Sequence, residues 1–214
     1  MNANMADADR AGPMVVGPVT LEGRYVRMEP LAKAHHAGLC AAGLGDDLFR
    51  WMPTAVDTPE DMAAWVDAAL AEQGRGVSLP FATVEASTGR VVGGTRFLNI
   101  EPAHRRLEIG STWVGRPWQR TPVNTEAKLL MLAHAFDTLG ANRVELKTDA
   151  LNTVSRAAIL RLGATEEGTF RRHMIVQGGR VRDTVYFSIV DRDWPGVRDR
   201  LEAMLARPWA DRGR

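Results

Sequence analysis

The sequence is poor in cysteine, in net charge and in long apolar runs, and each shortage excludes a class of protein. Its single cysteine, Cys40, rules out an internal disulfide and a cysteine-rich zinc site, and it favours a reducing compartment. Lysine and arginine number 27 against 26 acidic residues, so the net charge of +1 attracts neither nucleic acid nor an anionic membrane. No apolar run has the length of a signal peptide or a membrane span. We therefore expect a cytoplasmic protein without nucleic-acid or membrane partners.

Several catalytic motifs are missing as well. The chain has no Gly-x-Ser-x-Gly elbow, no phosphate loop ending in Gly-Lys-Ser/Thr, no Gly-x-Gly-x-x-Gly and no His-Glu-x-x-His. The histidines are not spaced as metal ligands, since His35 and His36 are adjacent and His134 lies in an apolar helical pattern. Cys40 itself is expected to be a small buried apolar residue. These absences argue against a metal site and against the common hydrolases.

Apolar periodicity predicts one domain over residues 18–207, with tails at 1–17 and 208–214. Helices are expected at 31–42, from Thr58, from Thr121 and from Asn152 to Leu162, with a last one beginning near Asp193. Strands are expected at 19–28 (as a hairpin or one bulged strand), 81–85, 90–100, 108–114, 143–149, 169–177 and 180–190. A two-residue turn at Gly178 and Gly179 would place His173 opposite Thr184 and Arg171 opposite Tyr186.

The stretch from Glu108 to Lys128 organises the rest of the chain, because it predicts a strand, a loop and the start of a helix. Thr121 can cap this helix, and Pro122 suits its first position, where an N–H would have no partner within the helix. Amides just after Pro122, with Arg116 and Arg120 nearby, could bind an anion such as a pyrophosphate. An ordinary capped helix with solvated arginines explains the same residues.

This order of elements resembles the GNAT superfamily of acyl-CoA N-acetyltransferases, in the branch of the ribosomal-protein N-terminal acetyltransferases of the RimJ and RimL type. The supporting motifs are Glu108-Ile-Gly110, Asn124-Thr-Glu-Ala-Lys128, Asn152-x-x-Ser155, Leu162-Gly-Ala164, Glu167-Gly-x-x-Arg171 and Arg182-Asp-x-Val185. The resemblance implies a mixed α/β fold of the α+β type. Its sheet is mostly antiparallel, has six to seven strands flanked by helices, and is splayed between the fourth and fifth strands. It also implies acetyl-CoA as cosubstrate, no metal, and an oligomeric state that can be a homodimer.

The resemblance also assigns residues to the coenzyme. The family's pyrophosphate loop, Gln/Arg-x-x-Gly-x-Gly/Ala, falls on residues 119–124, with Pro122 and Asn124 in place of the small residues. The pantetheine arm would lie in the gap that a bulge at Gly110 opens between two strands. The coenzyme-binding residues implied in this way are Thr112, Trp113, Val114, Gln119, Arg120, Thr121, Val123, Asn124, Thr125, Asn152 and Ser155.

For catalysis, an amine must lose a proton before it attacks a thioester, and the departing thiolate needs a hydrogen-bond donor. Glu108 has the family's spacing for a base, or it could be held in a structural ion pair. Many relatives carry a tyrosine as the donor to the thiolate where this chain has Ile159, and Ser155 in the Asn-x-x-Ser setting is the replacement we favour. Alternatively, Ser155 only helps Asn152 to cap a helix.

The acceptor is indicated only by family segments. Phe49, Trp51, Arg171 and His173 fall in segments that border the acceptor cleft, although each could equally be a packing residue or a solvated charge. An N-terminal peptide amine is the expected acceptor, with a small-molecule amine as the alternative. A non-catalytic sensor of acyl-CoA is a third interpretation, because Pro122 and Ile159 depart from common patterns.

Overall fold

A computed structural model describes residues 13–209 and shows one eight-stranded sheet with helices on both faces. The strands are β1 (Leu21–Glu22), β2 (Val26–Pro30), β3 (Ser78–Glu85), β4 (Val91–Glu101), β5 (Arg106–Val114), β6 (Arg143–Asp149), β7 (Thr165–Ile175) and β8 (Val181–Val190). Their order across the sheet is β1-β2-β3-β4-β5-β6-β8-β7, and all neighbours are antiparallel except β5 and β6. The fold class that the sequence predicted is confirmed.

The helices begin where capping chemistry predicts. They are α1 (His36–Gly43), α2 (Pro59–Gly74), α3 (Pro122–Ala133), α4 (Thr153–Leu162) and α5 (Trp194–Leu205). Thr58 caps α2 through its side chain, and Asn152 caps α4 by accepting a hydrogen bond from the Ser155 amide at 3.0 Å. Gly163 ends α4 with a φ of 105°, a left-handed conformation that glycine adopts without strain. Among the described residues, none of these helices is long and apolar enough to cross a membrane.

Two hydrophobic cores lie on opposite faces of the sheet. The larger one joins α3 and α5 to the sheet through side chains such as Phe97, Leu107, Met131, Phe187 and Leu201. The smaller one packs α1 and α2 on the other face and contains Leu39, Met62 and Trp113. Met14, within the predicted tail, is buried in the larger core, so packing begins before residue 18. Cys40 is only half-buried, with its sulfur 3.4 Å from His36 Nε2.

The sheet has one strand more than the six to seven predicted, because the segment 19–28 divides into β1 and β2. The fourth and fifth strands of the prediction are therefore β5 and β6 of the structure, and the splay lies between them. The predicted pairing of the last hairpin was wrong. The turn runs through 176–180 rather than two residues, and the register shifts between Phe170 and Met174, so Thr184 faces Phe170 and Tyr186 faces Gly168. A bulge in β7 absorbs the extra residues.

A buried carboxylate fixes the start of α3 to the first hairpin. Glu126 accepts hydrogen bonds from the amides of Arg24, Tyr25 and Val26 at 2.9, 2.6 and 2.8 Å. A Cβ atom at Gly23 would lie 2.5 Å from this carboxylate, so glycine is what allows its close approach. The charge of Glu126 thus satisfies three backbone donors of the turn between β1 and β2.

Replacing Glu126 with Gln should therefore destabilise the fold. The amide keeps one oxygen, but its NH₂ group faces backbone N–H donors, so charge-assisted hydrogen bonds are lost. We expect the free energy of unfolding to fall by about 1.5–3 kcal/mol in urea denaturation. Glu202→Gln, at an exposed position of α5, is the matched control and should change it little. Equal effects of the two substitutions would contradict this role for Glu126.

Candidate active site

The central strands part at one point of the sheet. β5 and β6 are paired only through Arg106, Leu107 and Glu108, which face Arg143, Val144 and Glu145. Beyond Glu108, β5 bulges against β4, since Gly94 pairs with Trp113 whereas Arg96 pairs with Gly110. Ser111 sits in this bulge with a φ of 51°, a left-handed conformation that is uncommon for residues other than glycine. The bulge coincides with the place where β5 turns away from β6.

Glu108 is the last residue of β5 that pairs with β6, and its carboxylate is buried with two partners. Oε2 lies 3.0 Å from Lys147 Nζ and accepts a hydrogen bond of 2.8 Å from Asn99 Nδ2. Asn99 occupies a bulge of β4 with a φ of 47°, which turns its amide toward the carboxylate. Lys147 is on β6, so this ion pair bridges the two strands just where they separate. The structural ion pair foreseen for Glu108 is therefore present.

Neither of these contacts uses the other carboxylate oxygen, Oε1. A Cβ atom at Gly110 would lie 2.6 Å from Oε1 and 3.0 Å from Leu98 Cδ1. The carboxylate therefore extends along β5 over Gly110, toward the bulge. With Oε2 held by a cation and an amide, Oε1 is the oxygen that can accept a proton from a bound amine.

A second lysine approaches the bulge from the opposite face of the sheet. Lys128 of α3 is buried, and its Nζ donates to Thr112 Oγ1 at 2.8 Å and to Thr95 Oγ1 at 3.5 Å. The two threonine hydroxyls are 2.7 Å apart. Burial without a neighbouring carboxylate lowers the pKa of Lys128 to about 7. Near neutral pH this lysine is therefore a mixture of the charged and the neutral amine, and either form can donate to the threonines and fix the bulge from behind.

The helix α3 begins as predicted, with Thr121 as its cap and Pro122 at its first position. Thr121 Oγ1 accepts weakly from the Val123 amide at 3.4 Å and donates to the carbonyl of Trp118 at 2.6 Å. Asn124 Oδ1 is buried without a hydrogen-bond partner, which leaves a polar atom for a ligand to satisfy. Gln119 Nε2 donates to the carbonyl of Val114 at 3.0 Å. These residues fit a coenzyme whose phosphates lie at the helix start.

The predicted arginines of this loop differ in their contacts. Arg116 lies 3.5 Å from Asp46 Oδ1 and donates to its carbonyl, so an internal carboxylate already engages it. Arg120 is exposed and has a φ of 58°. Arg116 is thus engaged by Asp46, whereas no ion pair of Arg120 is found within residues 13–209.

Ser155 stands in the first turn of α4, beyond the end of β6. Its amide donates to Asn152 Oδ1, which is the capping contact that the sequence predicted. Within residues 13–209, no hydrogen bond joins Ser155 to Glu108. The backbone amide of Ser155 thus connects it to the helix cap, and a role for its hydroxyl at the thioester depends on the coenzyme lying between the two elements.

A polar groove runs along the sheet face beside Glu108. Its volume is about 480 Å³, and its walls are Asn99, Glu101, Arg106, Arg143, Glu145, Glu167, Gly168, Phe170 and Tyr186. The charges in it are interlaced, because Arg143 lies 2.9 Å from Glu145 and 2.7 Å from Glu167. The groove thus offers paired charges of both signs rather than an apolar pocket.

An aromatic cluster closes one end of this face. The Phe170 ring is centred 4.6 Å from Tyr186 and 5.4 Å from His173, and Lys147 Nζ lies 5.8 Å from the centre of the Tyr186 ring. Burial, followed by the positive charges of Lys147 and Arg182, lowers the pKa of His173, and Glu108 opposes this shift. His173 is therefore an uncharged imidazole at neutral pH, on the same face as Glu108.

The other predicted acceptor residues are placed less uniformly. Phe49 is buried against Trp113, with ring centroids 5.2 Å apart, so both of these side chains belong to the smaller core. Trp51 is half-buried, with the Arg180 guanidinium 5.5 Å from its ring. Arg171 is exposed in the bulge of β7. Of these four residues, Trp51 lies against Arg180, and His173 lies against Phe170 and Tyr186.

Sequence reasoning missed three side chains that shape the site: Asn99, Lys128 and Lys147. Lys147 occupies a polar position of the alternating strand β6, so its position on the polar side of the strand could be predicted from the sequence. Its partner Glu108 could not. Lys128 carries a clearer signal, because a lysine between Ala127 and Leu129 on an apolar helix is unusual in a core. The contact of Asn99 with Glu108 depends on a bulge in β4 that no local sequence pattern predicts.

Comparison with known proteins identifies the family. Residues 26–165 match the family described as the acetyltransferase (GNAT) domain. The chain belongs to the GNAT acetyltransferase family. A crystal structure of a GCN5-related N-acetyltransferase from Brucella melitensis is 37% identical, with a TM-score of 0.83 over 89% of this chain and 87% of that chain.

Two further relatives confirm the resemblance to the RimJ and RimL branch. RimJ of Mycobacterium smegmatis, solved in complex with CoA-disulfide, is 26% identical, with a TM-score of 0.73 over 92% of this chain and 99% of that chain. YdaF of Bacillus subtilis (strain 168), named provisionally as a ribosomal N-acetyltransferase, is 32% identical over 110 residues, or 51% of this chain and 59% of YdaF. The match spans about three fifths of the curated relatives' length.

Gly110→Ala tests whether the carboxylate must lie over this glycine. Both atoms that the new methyl group would meet are ends of flexible side chains, so we expect the fold to survive with a loss below about 2 kcal/mol. The carboxylate would be displaced, and acetyl transfer should fall about 10²-fold or more, measured as thiol release. Gly196→Ala, where no atom lies within 4 Å of the added carbon, is the control and should retain activity. Normal turnover in Gly110→Ala would show that the reaction does not require the Glu108 carboxylate to lie over Gly110.

Lys128→Met tests the buried amine through the pH dependence of stability. The unfolded chain holds this proton up to pH about 10.5, whereas the folded chain releases it near pH 7. Below pH 7 the lysine is protonated in both the folded and the unfolded chain, so the cost of burying its charge lowers the stability of the wild type by its full amount. From pH 7 to 10 only the unfolded chain keeps the proton, and the stability of the wild type should rise relative to that of Lys128→Met by about 1.4 kcal/mol per pH unit. Lys33→Met, at an exposed position, should show no such slope. A flat difference for Lys128→Met would mean that the lysine stays charged in the fold.

Proposed function

We propose that this chain transfers the acetyl group of acetyl-CoA to a primary amine at a protein or peptide N-terminus, by direct attack in a ternary complex. The observation that carries the proposal is the placement of Glu108. A buried carboxylate lies where β5 and β6 separate, with one oxygen held by Lys147 and Asn99 and the other directed over Gly110. This is a proton acceptor oriented at the gap in the sheet.

The donor substrate, acetyl-CoA, is supported by the family and by the start of α3. The backbone amides after Pro122 would donate to the pyrophosphate end of the molecule. The side chains expected near it are those of Gln119, Arg120, Thr121, Val123, Asn124 and Thr125, with Asn124 donating through its Nδ2 group. Thr112, Trp113 and Val114 would present backbone groups of the bulged strand to its pantetheine arm. The relative RimJ was solved with a CoA derivative, which supports the same ligand class here.

The reaction needs a neutral amine, and Glu108 would provide it. An ammonium group entering beside Glu108 loses a proton to Oε1, and its nitrogen then attacks the thioester carbonyl carbon. As the N–C bond forms, the C–S bond breaks and the nitrogen loses its second proton to solvent. The departing thiolate accepts a hydrogen bond from the Ser155 hydroxyl and takes its proton from solvent. The neutral imidazole of His173 lies on the same face and would border the acceptor, with Trp51 and the exposed Arg171 at its rim.

A peptide acceptor is favoured over a small amine by the groove beside Glu108. It is open and lined by interlaced charges, which suits the polar backbone of an extended chain better than an apolar molecule. The names of YdaF and RimJ point the same way. A ribosomal protein as acceptor would place the reaction in the cytoplasm.

Glu108→Gln and Ser155→Ala test the two catalytic assignments. If Glu108 is the base, Glu108→Gln should lower turnover on an acceptor peptide by roughly 10²- to 10⁴-fold and remove the acidic limb of the pH-rate profile. Ser155→Ala should lose less, because it removes only a hydrogen-bond donor to a thiolate that is already a moderate leaving group. Both variants should keep their affinity for acetyl-CoA, measured as the rise in melting temperature on titration.

Stability measurements must accompany these assays, since Glu108 holds an ion pair and Ser155 lies in a capping turn. A folded Glu108→Gln protein with near-normal turnover and an intact acidic limb would exclude Glu108 as the base and direct attention to His173. Binding of acetyl-CoA with no turnover on any amine would favour a sensor of acyl-CoA.

A further inference from the structure

Lysine is rare in this chain, and two of its three copies lie at the site. The sequence has 24 arginines but only Lys33, Lys128 and Lys147. Lys33 is exposed on the surface, 2.9 Å from Asp67, and Lys128 is buried behind the bulge. Lys147 is the only one whose amine contacts the proposed base.

We propose that Lys147 is a self-acetylation site, whose ε-amine takes the acetyl group when no external acceptor is bound. The inference rests on the proposed function, because it uses the same thioester donor and the same base. It adds a covalent modification of this chain and a means by which the modification stops the enzyme.

The position of the amine supports the proposal. Lys147 Nζ lies 3.0 Å from Glu108 Oε2, which is the distance at which an acceptor ammonium would meet the carboxylate. The side chain starts on β6 and ends beside β5, so it crosses the mouth of the gap between the strands. The Tyr186 ring on one side limits where the amine can move. An internal amine thus contacts the same carboxylate that an external amine must reach, at Oε2 rather than at Oε1.

The amine is also accessible, unlike that of Lys128. The Lys147 side chain keeps 22% of its surface exposed, whereas the Lys128 amine is enclosed by Thr95 and Thr112 within the core. A thioester in the gap can reach the first amine without rearrangement of the sheet. To reach the Lys128 amine, a thioester would need the bulge of β5 to open.

The transfer balances in the same way as with an external acceptor. The Lys147 ammonium gives one proton to Glu108, and the neutral nitrogen attacks the carbonyl carbon of the acyl thioester. The new N–C bond forms as the C–S bond breaks, and the nitrogen loses its second proton to solvent. The thiolate is protonated to the free thiol. The products are acetyl-lysine and coenzyme A, and no oxidant, metal or other reactant is required.

Self-acetylation should be slow compared with acetylation of a peptide. Ordinary lysine amines have pKa values about 2.5 units above those of α-amino groups, so their neutral fraction is about 10²- to 10³-fold smaller at the same pH. An N-terminal amine therefore wins when it is present. In its absence, Lys147 is the amine nearest to the base.

The modification would turn the enzyme off. Acetyl-lysine carries no charge, so Glu108 would lose its cationic partner inside a buried site. The longer side chain would also fill the mouth of the gap, where the external amine has to enter. Acetyl-CoA without acceptor would thus convert active protein into a blocked form.

Peptide mapping by mass spectrometry tests the proposal. The full-length protein is incubated with acetyl-CoA alone and digested with trypsin, and the peptide 144–156 is examined for an acetyl group and a missed cleavage at Lys147. We expect Lys147 to be acetylated at least about tenfold more than Lys33, which reports the non-enzymatic background. A saturating acceptor peptide should suppress labelling of Lys147 but not that of Lys33. Glu108→Gln should remove the excess at Lys147.

Three outcomes would overturn the proposal, and they differ in what they say of the proposed function. Turnover of an acceptor peptide with Lys147 unmodified would reject self-acetylation and leave the acetyltransferase assignment intact. Binding of acetyl-CoA with neither turnover nor modification would reject both. Equal labelling of Lys33 and Lys147 would also reject self-acetylation as non-enzymatic chemistry. Acceptor competition uses only the wild-type chain, so the test remains decisive if Glu108→Gln does not fold.

Discussion

The limited pairing of β5 with β6 is the constraint on which the site depends. Two parallel strands that stayed paired would satisfy each other's backbone groups and leave no space between them. Here the pairing stops after Glu108, and a bulge with Ser111 in a left-handed conformation redirects β5. Such a bulge costs free energy, and it persists because side chains hold it from both faces. Lys128 does so from the side of α3, and Glu108 with Lys147 does so from the other side.

The two lysines show how surroundings decide the state of the same group. Lys128 has hydroxyl partners but no carboxylate, so desolvation dominates and its pKa falls to about 7. Lys147 keeps part of its surface in solvent and has a carboxylate at 3.0 Å, so its charge is compensated. The lowered pKa lets Lys128 lose its charge readily in the core, where its described partners are hydroxyl groups. The compensated lysine keeps Glu108 in place within a site that would otherwise bury an isolated charge.

Local signals in the sequence predicted most elements, because they act over a few residues. The bounds of β6 and the end of α4 at Gly163 agree with the structure, and Thr121 and Pro122 open α3 as capping chemistry predicts. The partners of Glu108 could not be predicted in the same way. Asn99 and Lys147 reach it only through a bulge and through strand register, and both arise from tertiary packing. The pairing of β7 with β8 failed for the same reason, since a bulge near His173 shifts the register without a local signal.

One side chain ties the hairpin of β7 and β8 to the segment 49–53. Gln177, in the turn between β7 and β8, directs Nε2 at the carbonyls of Phe49, Arg50 and Met52 at 2.7, 3.2 and 3.0 Å. The backbone N–H of Gln177 also donates to the carbonyl of Pro53 at 2.8 Å. Because an amide nitrogen has two hydrogens for these three carbonyls, the bonds are shared, and moving the segment 49–53 would break them together. Trp51 is thereby held beside the hairpin that carries His173. The segment 49–53 and the hairpin of β7 and β8 are therefore held in one arrangement by shared hydrogen bonds, and neither can move without breaking them.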